Sequence, residues 1–83
     1  MRLVAETDAA TADTYYEAAF LRLSEGAFQD AVAYLQRAMA LAPGHPKYAT
    51  ALAKVYDVLG DRERAGALLE QALRLRRVQA KVP

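Results

Sequence analysis

The chain has 83 residues, of which 54% are hydrophobic and 25% charged, with a formal net charge of +1. That balance excludes a disordered acidic or basic tract and bounds the answer at one small domain, which buries only about 60% of its unfolded surface and has a marginal core. With no cysteine there is neither a disulfide framework nor a thiolate metal site; the first 13 residues are too polar for a secretory leader, and no apolar run reaches the ~18–20 residues of a membrane span, so a soluble, cytoplasmic chain is expected.

In chain order, Tyr15, Ala18, Ala19, Leu21 and Leu23 recur at helical spacing before Gly26, with Thr11 or Asp13 placed to cap the start. Phe28, Ala31, Val32, Leu35, Ala38, Met39 and Ala42 predict a second helix that Pro43 and Gly44 stop. Pro46 suits the first turn of a third, carried by Tyr48, Leu52, Val55, Tyr56 and Leu59 and ended by Gly60. Asp61 can cap a fourth, built on Ala65, Leu68, Leu69, Ala72, Leu73 and Leu75, whose basic end (Arg74, Arg76, Arg77) suits the negative pole of the helix dipole. Gly66, inside that helix, predicts a close approach of two helices. No strand pattern competes.

A shift of 34 residues overlays the two hairpins: Gly26 on Gly60, Ala31 on Ala65, Leu35 on Leu69, Ala38 on Ala72, Met39 on Leu73 and Leu41 on Leu75. Alanine richness alone does not place glycines and large apolar residues at one common shift, and this shift is a helix–turn–helix repeat length. The chain therefore resembles the tetratricopeptide repeat family over residues 12–79, on Tyr15, Ala19, Gly26, Ala31, Leu35, Ala38 and Pro43 in the first unit and Leu52, Ala53, Tyr56, Gly60, Ala65, Leu69 and Ala72 in the second. It departs at Ala18, Arg22, Ala49 and Arg77; the Arg22 stem can lie on apolar surface while its guanidinium reaches Glu25 or solvent.

The resemblance implies an all-α fold of two stacked hairpins in a short right-handed solenoid, with units at 12–45 and 46–79, an N-terminal extension at 1–11 and a tail at 80–83. It also implies a groove lined by the first helix of each unit, at Asp13, Tyr16, Phe20, Leu23 and Ser24, then Lys47, Thr50, Lys54, Asp57 and Val58. One half is apolar and aromatic, the other cationic, which suits a peptide with an apolar anchor and an acidic group. Tyr16, Phe20 and Leu23 read equally as core, or as a stripe covered by residues 1–11. Some members clamp a terminal carboxylate with lysine, asparagine and arginine; this chain has no asparagine, and that activity is not expected. Other members are small bacterial chaperones holding apolar segments, including those of type III secretion, and a chaperone-like role is compatible with the aromatic face. Arginine excess with no isoleucine or asparagine fits a GC-rich bacterial genome or a design choice.

The second reading is self-assembly. The last helix is expected to leave Leu69, Leu73 and parts of Ala65 and Ala72 uncovered, a face for a homodimer unless Arg76, Arg77 and Lys81 shield it. Residues 1–42 hold six acids and three bases and residues 43–83 four acids and eight bases, −3 against +4, a polarity that favours head-to-tail meeting or an acidic partner.

Catalysis, metals and cofactors find no support. His45 is the sole histidine, in a PGHP turn; Ser24, the sole serine, has no base near it by spacing; Asp57, Asp61 and Glu63 lack a calcium-loop spacing. The basic end of the last helix, at Arg74, Arg76, Arg77 and Lys81, has no interleaved aromatics, so nucleic acid is not the expected partner.

Overall fold

The computed structural model describes residues 4–81 as four α-helices: α1 (Val4–Ser24), α2 (Phe28–Leu41), α3 (Pro46–Leu59) and α4 (Arg62–Lys81). Short turns join them, and α1 packs on α2, α2 on α3 and α3 on α4. Two helical hairpins thus lie side by side in a slab of 38 × 26 × 15 Å, with no strand among the described residues. The radius of gyration, 13.2 Å, exceeds the ~12 Å of a compact domain this long, as a repeat layer requires.

The 34-residue repeat is written in the turns. Gly26 and Gly60 both adopt positive φ, 79° and 88°. At the first, the Gly26 N–H donates to the Leu23 carbonyl and the Ala27 N–H to that of Arg22; at the second, Gly60 donates to Asp57 and Asp61 to Tyr56. Each pair closes a helix with a left-handed residue that satisfies its last carbonyls. Pro46 stands in the first turn of α3, and Asp61 caps α4 by accepting the Arg64 N–H at 3.1 Å.

The core is mostly alanine, which lets the helices approach closely. Ala19, Ala31, Val32, Leu35, Ala51, Leu52, Ala53, Val55, Tyr56 and Ala65 form one cluster; Ala12, Ala38, Ala42 and Tyr48 form a second. The Tyr56 hydroxyl accepts from Gln36 Nε2 at 3.2 Å, tying α3 to α2. Arg22 behaves as expected of a long cation on an apolar face, its Nη1 2.8 Å from Glu25 Oε1.

Three expectations are corrected. α1 starts at Val4, so Thr11 and Asp13 sit inside the helix and cap nothing; residues 4–11 continue α1 and do not fold back over the aromatic stripe, while Met1, Arg2 and Leu3, like Val82 and Pro83, lie outside the described residues. Ala65 and Ala72 are buried, 5% and 3% exposed, because α3 and α4 pack through their small side chains; they are not part of an open face. Gly66 is exposed, and a Cβ built there meets nothing within 4 Å, so it marks no close approach.

The glycines therefore respond oppositely to alanine. Gly66→Ala should raise stability by about 0.5–1 kcal/mol, because it removes backbone freedom inside an exposed helix. Gly60→Ala should lower it by about 1–2 kcal/mol through the left-handed backbone at φ 88°. Urea midpoints of the two variants check this, and equal shifts of one sign contradict it.

Candidate functional site

α1 and α3 lie on the same side of the slab, and a groove of about 410 Å³ runs along them. Its walls are Tyr16, Phe20 and Leu23 from α1, Pro46, Lys47, Thr50, Ala51 and Lys54 from α3, and Arg76 from α4. Six of the ten expected positions meet there: Tyr16, Phe20, Leu23, Lys47, Thr50 and Lys54. The other four, Asp13, Ser24, Asp57 and Val58, do not line it. Asp13 stands at the end of the groove, held by α3, and Asp57 is exposed one turn from the end of α3. Arg76 escaped sequence reasoning; the only signal was its place in the basic end of α4.

The aromatic stripe divides between core and groove. Tyr16 and Leu23 are half-buried and pack on the core, whereas Phe20 is 46% exposed. Tyr16 is edge-on to both Phe20 and Tyr48, with ring centroids 4.7 and 5.3 Å apart, so its ring is wedged between groove and core.

One polar cluster fixes the geometry. Tyr48 is 2% exposed, and its hydroxyl donates to Asp13 Oδ1 at 3.1 Å; Lys47 Nζ lies 2.7 Å from the same oxygen and 5.0 Å from the centre of the Tyr16 ring. Hydrogen bonding from Lys47 and then from Tyr48 holds the Asp13 carboxyl below its ordinary range, and the same carboxylate raises Lys47. Burial, then Asp13, pushes the Tyr48 phenol up. The Thr50 hydroxyl is spent on the Pro46 carbonyl at 3.0 Å. Lys54 and Arg76 have no ion-pair partner among the described residues, so the groove keeps two uncompensated cations beside an apolar wall.

Elsewhere, the Ser24 hydroxyl donates to the Leu21 carbonyl at 2.7 Å, Val58 is exposed, and His45 precedes α3 with its ring edge-on to Tyr48 at 6.0 Å. No group of three potential metal ligands occurs among the described residues. Nor, among the described residues, is any helix long and apolar enough to cross a membrane.

A family model described as Tetratricopeptide repeat matches residues 22–82. The chain belongs to the tetratricopeptide repeat family. Its fold is shared with the crystal structure of MamA, at a TM-score of 0.81 and 24% identity over 84% of this chain; the chain spans 41% of that protein's length. No curated protein matches it. Tetratricopeptide repeat domains generally mediate protein–protein interaction and are typically non-enzymatic.

A lowered Asp13 sets the sign of a pH effect. The Asp13 contribution is present above the ordinary carboxylate pKa of about 4 and is lost as pH falls through the lower folded value. Asp13→Ala should therefore be less stable than the parent at neutral pH, with the difference in urea midpoint shrinking below about pH 4. A constant difference across that range would assign the loss to packing.

Proposed function

We propose that this repeat module is an adaptor or chaperone-like protein that holds a short extended segment of another polypeptide between α1 and α3. The supporting observation is the way the repeat diverges at the groove. The 34-residue overlay keeps the turn glycines and the packing residues Ala19/Ala53, Ala31/Ala65 and Leu35/Leu69. It changes every pair at the expected groove positions: Asp13 to Lys47, Tyr16 to Thr50, Phe20 to Lys54 and Leu23 to Asp57. Stacking demands the first set; in the second, Asp13 and Lys47 join the hairpins and Tyr16 and Leu23 also pack on the core, whereas the exposed pair Phe20 and Lys54 differs with no such demand.

The chemistry of the segment follows from the lining. The volume, about 410 Å³, lies at the lower end of the ~300–1,000 Å³ typical of ligand pockets, enough for a few side chains and not for a folded domain. Phe20 and Tyr16 offer a ring surface to an apolar residue, and Lys54 and Arg76 face an acidic one. Because both cations are exposed at the groove rim, they contribute orientation and association rate more than affinity.

Selection of a displayed random-peptide library on the immobilised protein tests this. The enriched sequences should combine an aromatic or large aliphatic residue with Asp or Glu nearby. Phe20→Ala should weaken the best peptide by about tenfold or more, Lys54→Glu and Arg76→Glu should favour peptides with the opposite charge, and circular dichroism should be unchanged. Enriched peptides that are indifferent to all three substitutions would place binding elsewhere on the surface.

A further inference from the structure

Beyond groove binding, the repeat itself shows what the open end of the molecule accepts. Leu35 is 1% exposed because α3 covers it; its equivalent Leu69 is 46% exposed, and Leu73, the equivalent of half-buried Met39, is 51% exposed. The face that α3 covers on the first hairpin is therefore repeated, uncovered, on the second.

We propose that this face docks α1 of a second copy, so that copies stack head to tail in the same relation that the two hairpins have within one chain. Three observations select α1 of another copy. First, opposite charges meet when the relation is carried one step on. Within the chain Asp13 of the first hairpin holds Lys47 of the second at 2.7 Å; one step on, Lys47 stands where Asp13 stood and Asp13 of the next copy where Lys47 stood, an opposite-charge complement between groups that each already have a partner in their own chain. Phe20 and Ala51 share the groove, and their successors are Lys54 and Glu17 of the next copy, again of opposite sign.

Second, the helix lengths agree. α2 and α3 have 14 residues each, whereas α1 has 21 and α4 has 20. Consecutive helices run antiparallel, so the added turns at the start of α1 would lie along the added turns at the end of α4. Third, the apolar contacts survive in reduced form. The α3 residues Leu52 and Val55, in one cluster with Leu35, correspond to Ala18 and to Leu21, which is 62% exposed. Thr14 and Glu17 replace Tyr48 and Ala51, so contact between copies is weaker than contact within a chain and depends on salt. A two-fold pairing of α4 with itself would instead set two helices with net positive charge together.

A head-to-tail contact does not close on itself and grows by addition. Sedimentation velocity from about 10 μM to about 1 mM chain, at about 50 and 500 mM salt, should show a mean mass that climbs beyond two copies with concentration and falls at the higher salt. Leu21→Glu, which blocks the α1 face, and Leu73→Glu, which blocks the α4 face, should each weaken association at least about tenfold with helicity intact. An equimolar mixture of the two should restore a one-to-one complex that stops at two copies, because only one competent contact remains. Glu17→Lys and Leu69→Glu repeat the test with other side chains should a first variant lose helicity. A monomer at every concentration, a dimer that survives Leu21→Glu, or a mixture that fails to associate overturns the proposal. Read at chain concentrations where the parent is monomeric, peptide capture in the groove should be unaffected by Leu73→Glu, so this test and that of the groove fail independently.

Discussion

The burial of α3 on two sides is the constraint on which the rest of the structure depends. Its buried residues, Tyr48, Ala49, Ala51, Leu52, Ala53, Val55 and Tyr56, cover about 200° of the helix at 100° per residue, against about 120° for the buried stripe of α2. α3 is therefore a shared wall, packed on the first hairpin and on α4 together. It buries two tyrosines: the Tyr56 hydroxyl is met by Gln36, and the Tyr48 hydroxyl would be costly to leave unpaired. Asp13 supplies the acceptor from α1, two helices away in sequence, and so sets the register between the two helices that form the groove. The position of Phe20 opposite Lys54 is thus a consequence of core packing.

Lys47 shows how the same cluster limits what the groove can do. Its ammonium is committed to Asp13 and lies over the faces of Tyr16 and Tyr48, at 5.0 and 5.3 Å from the ring centres. A ligand carboxylate would have to compete with an existing carboxylate there. Lys54 and Arg76 carry no such commitment, so the positive potential that a ligand meets lies on the far side of Phe20 from Asp13. That asymmetry gives the groove a direction: an apolar residue over Tyr16 and Phe20, and acid towards Lys54 and Arg76.

Much of this was legible in the sequence because turns and large apolar residues have strong, position-specific physics. Gly26 and Gly60 announced the ends of helices, Pro46 a first helical turn, Asp61 a cap, and the spacing of Tyr16, Phe20 and Leu23 a common face. Small residues carry no such information. Nothing in Ala65 or Ala72 distinguishes an alanine that lets two helices touch from one on an open face, and Gly66 reads alike in a tight crossing and in solvent. The start of α1 was missed because Thr11 and Asp13 are capping residues by type while the alanines around them favour helix, and propensity over the whole stretch prevailed. Arg76 was missed because its repeat equivalent is Ala42, beyond the end of α2; it enters the groove only because α4 runs past the equivalent of that end.

The thinness of the slab links these surfaces to stability. A chain of 83 residues with an alanine core has a small reserve, and a repeat unit gains stability from each neighbour it packs against. Any ligand that binds only the folded state adds to that reserve by mass action, about 2.7 kcal/mol at a hundredfold excess over its dissociation constant. For a domain whose total is on the order of 5–15 kcal/mol this is a large fraction. The groove spans α1 and α3, which belong to different hairpins, so an occupant would hold the hairpins together at the same contact that Tyr48 and Asp13 maintain from within. Recognition and folding in this molecule therefore draw on one interface, and a substitution that loosens α3 against α1 weakens both.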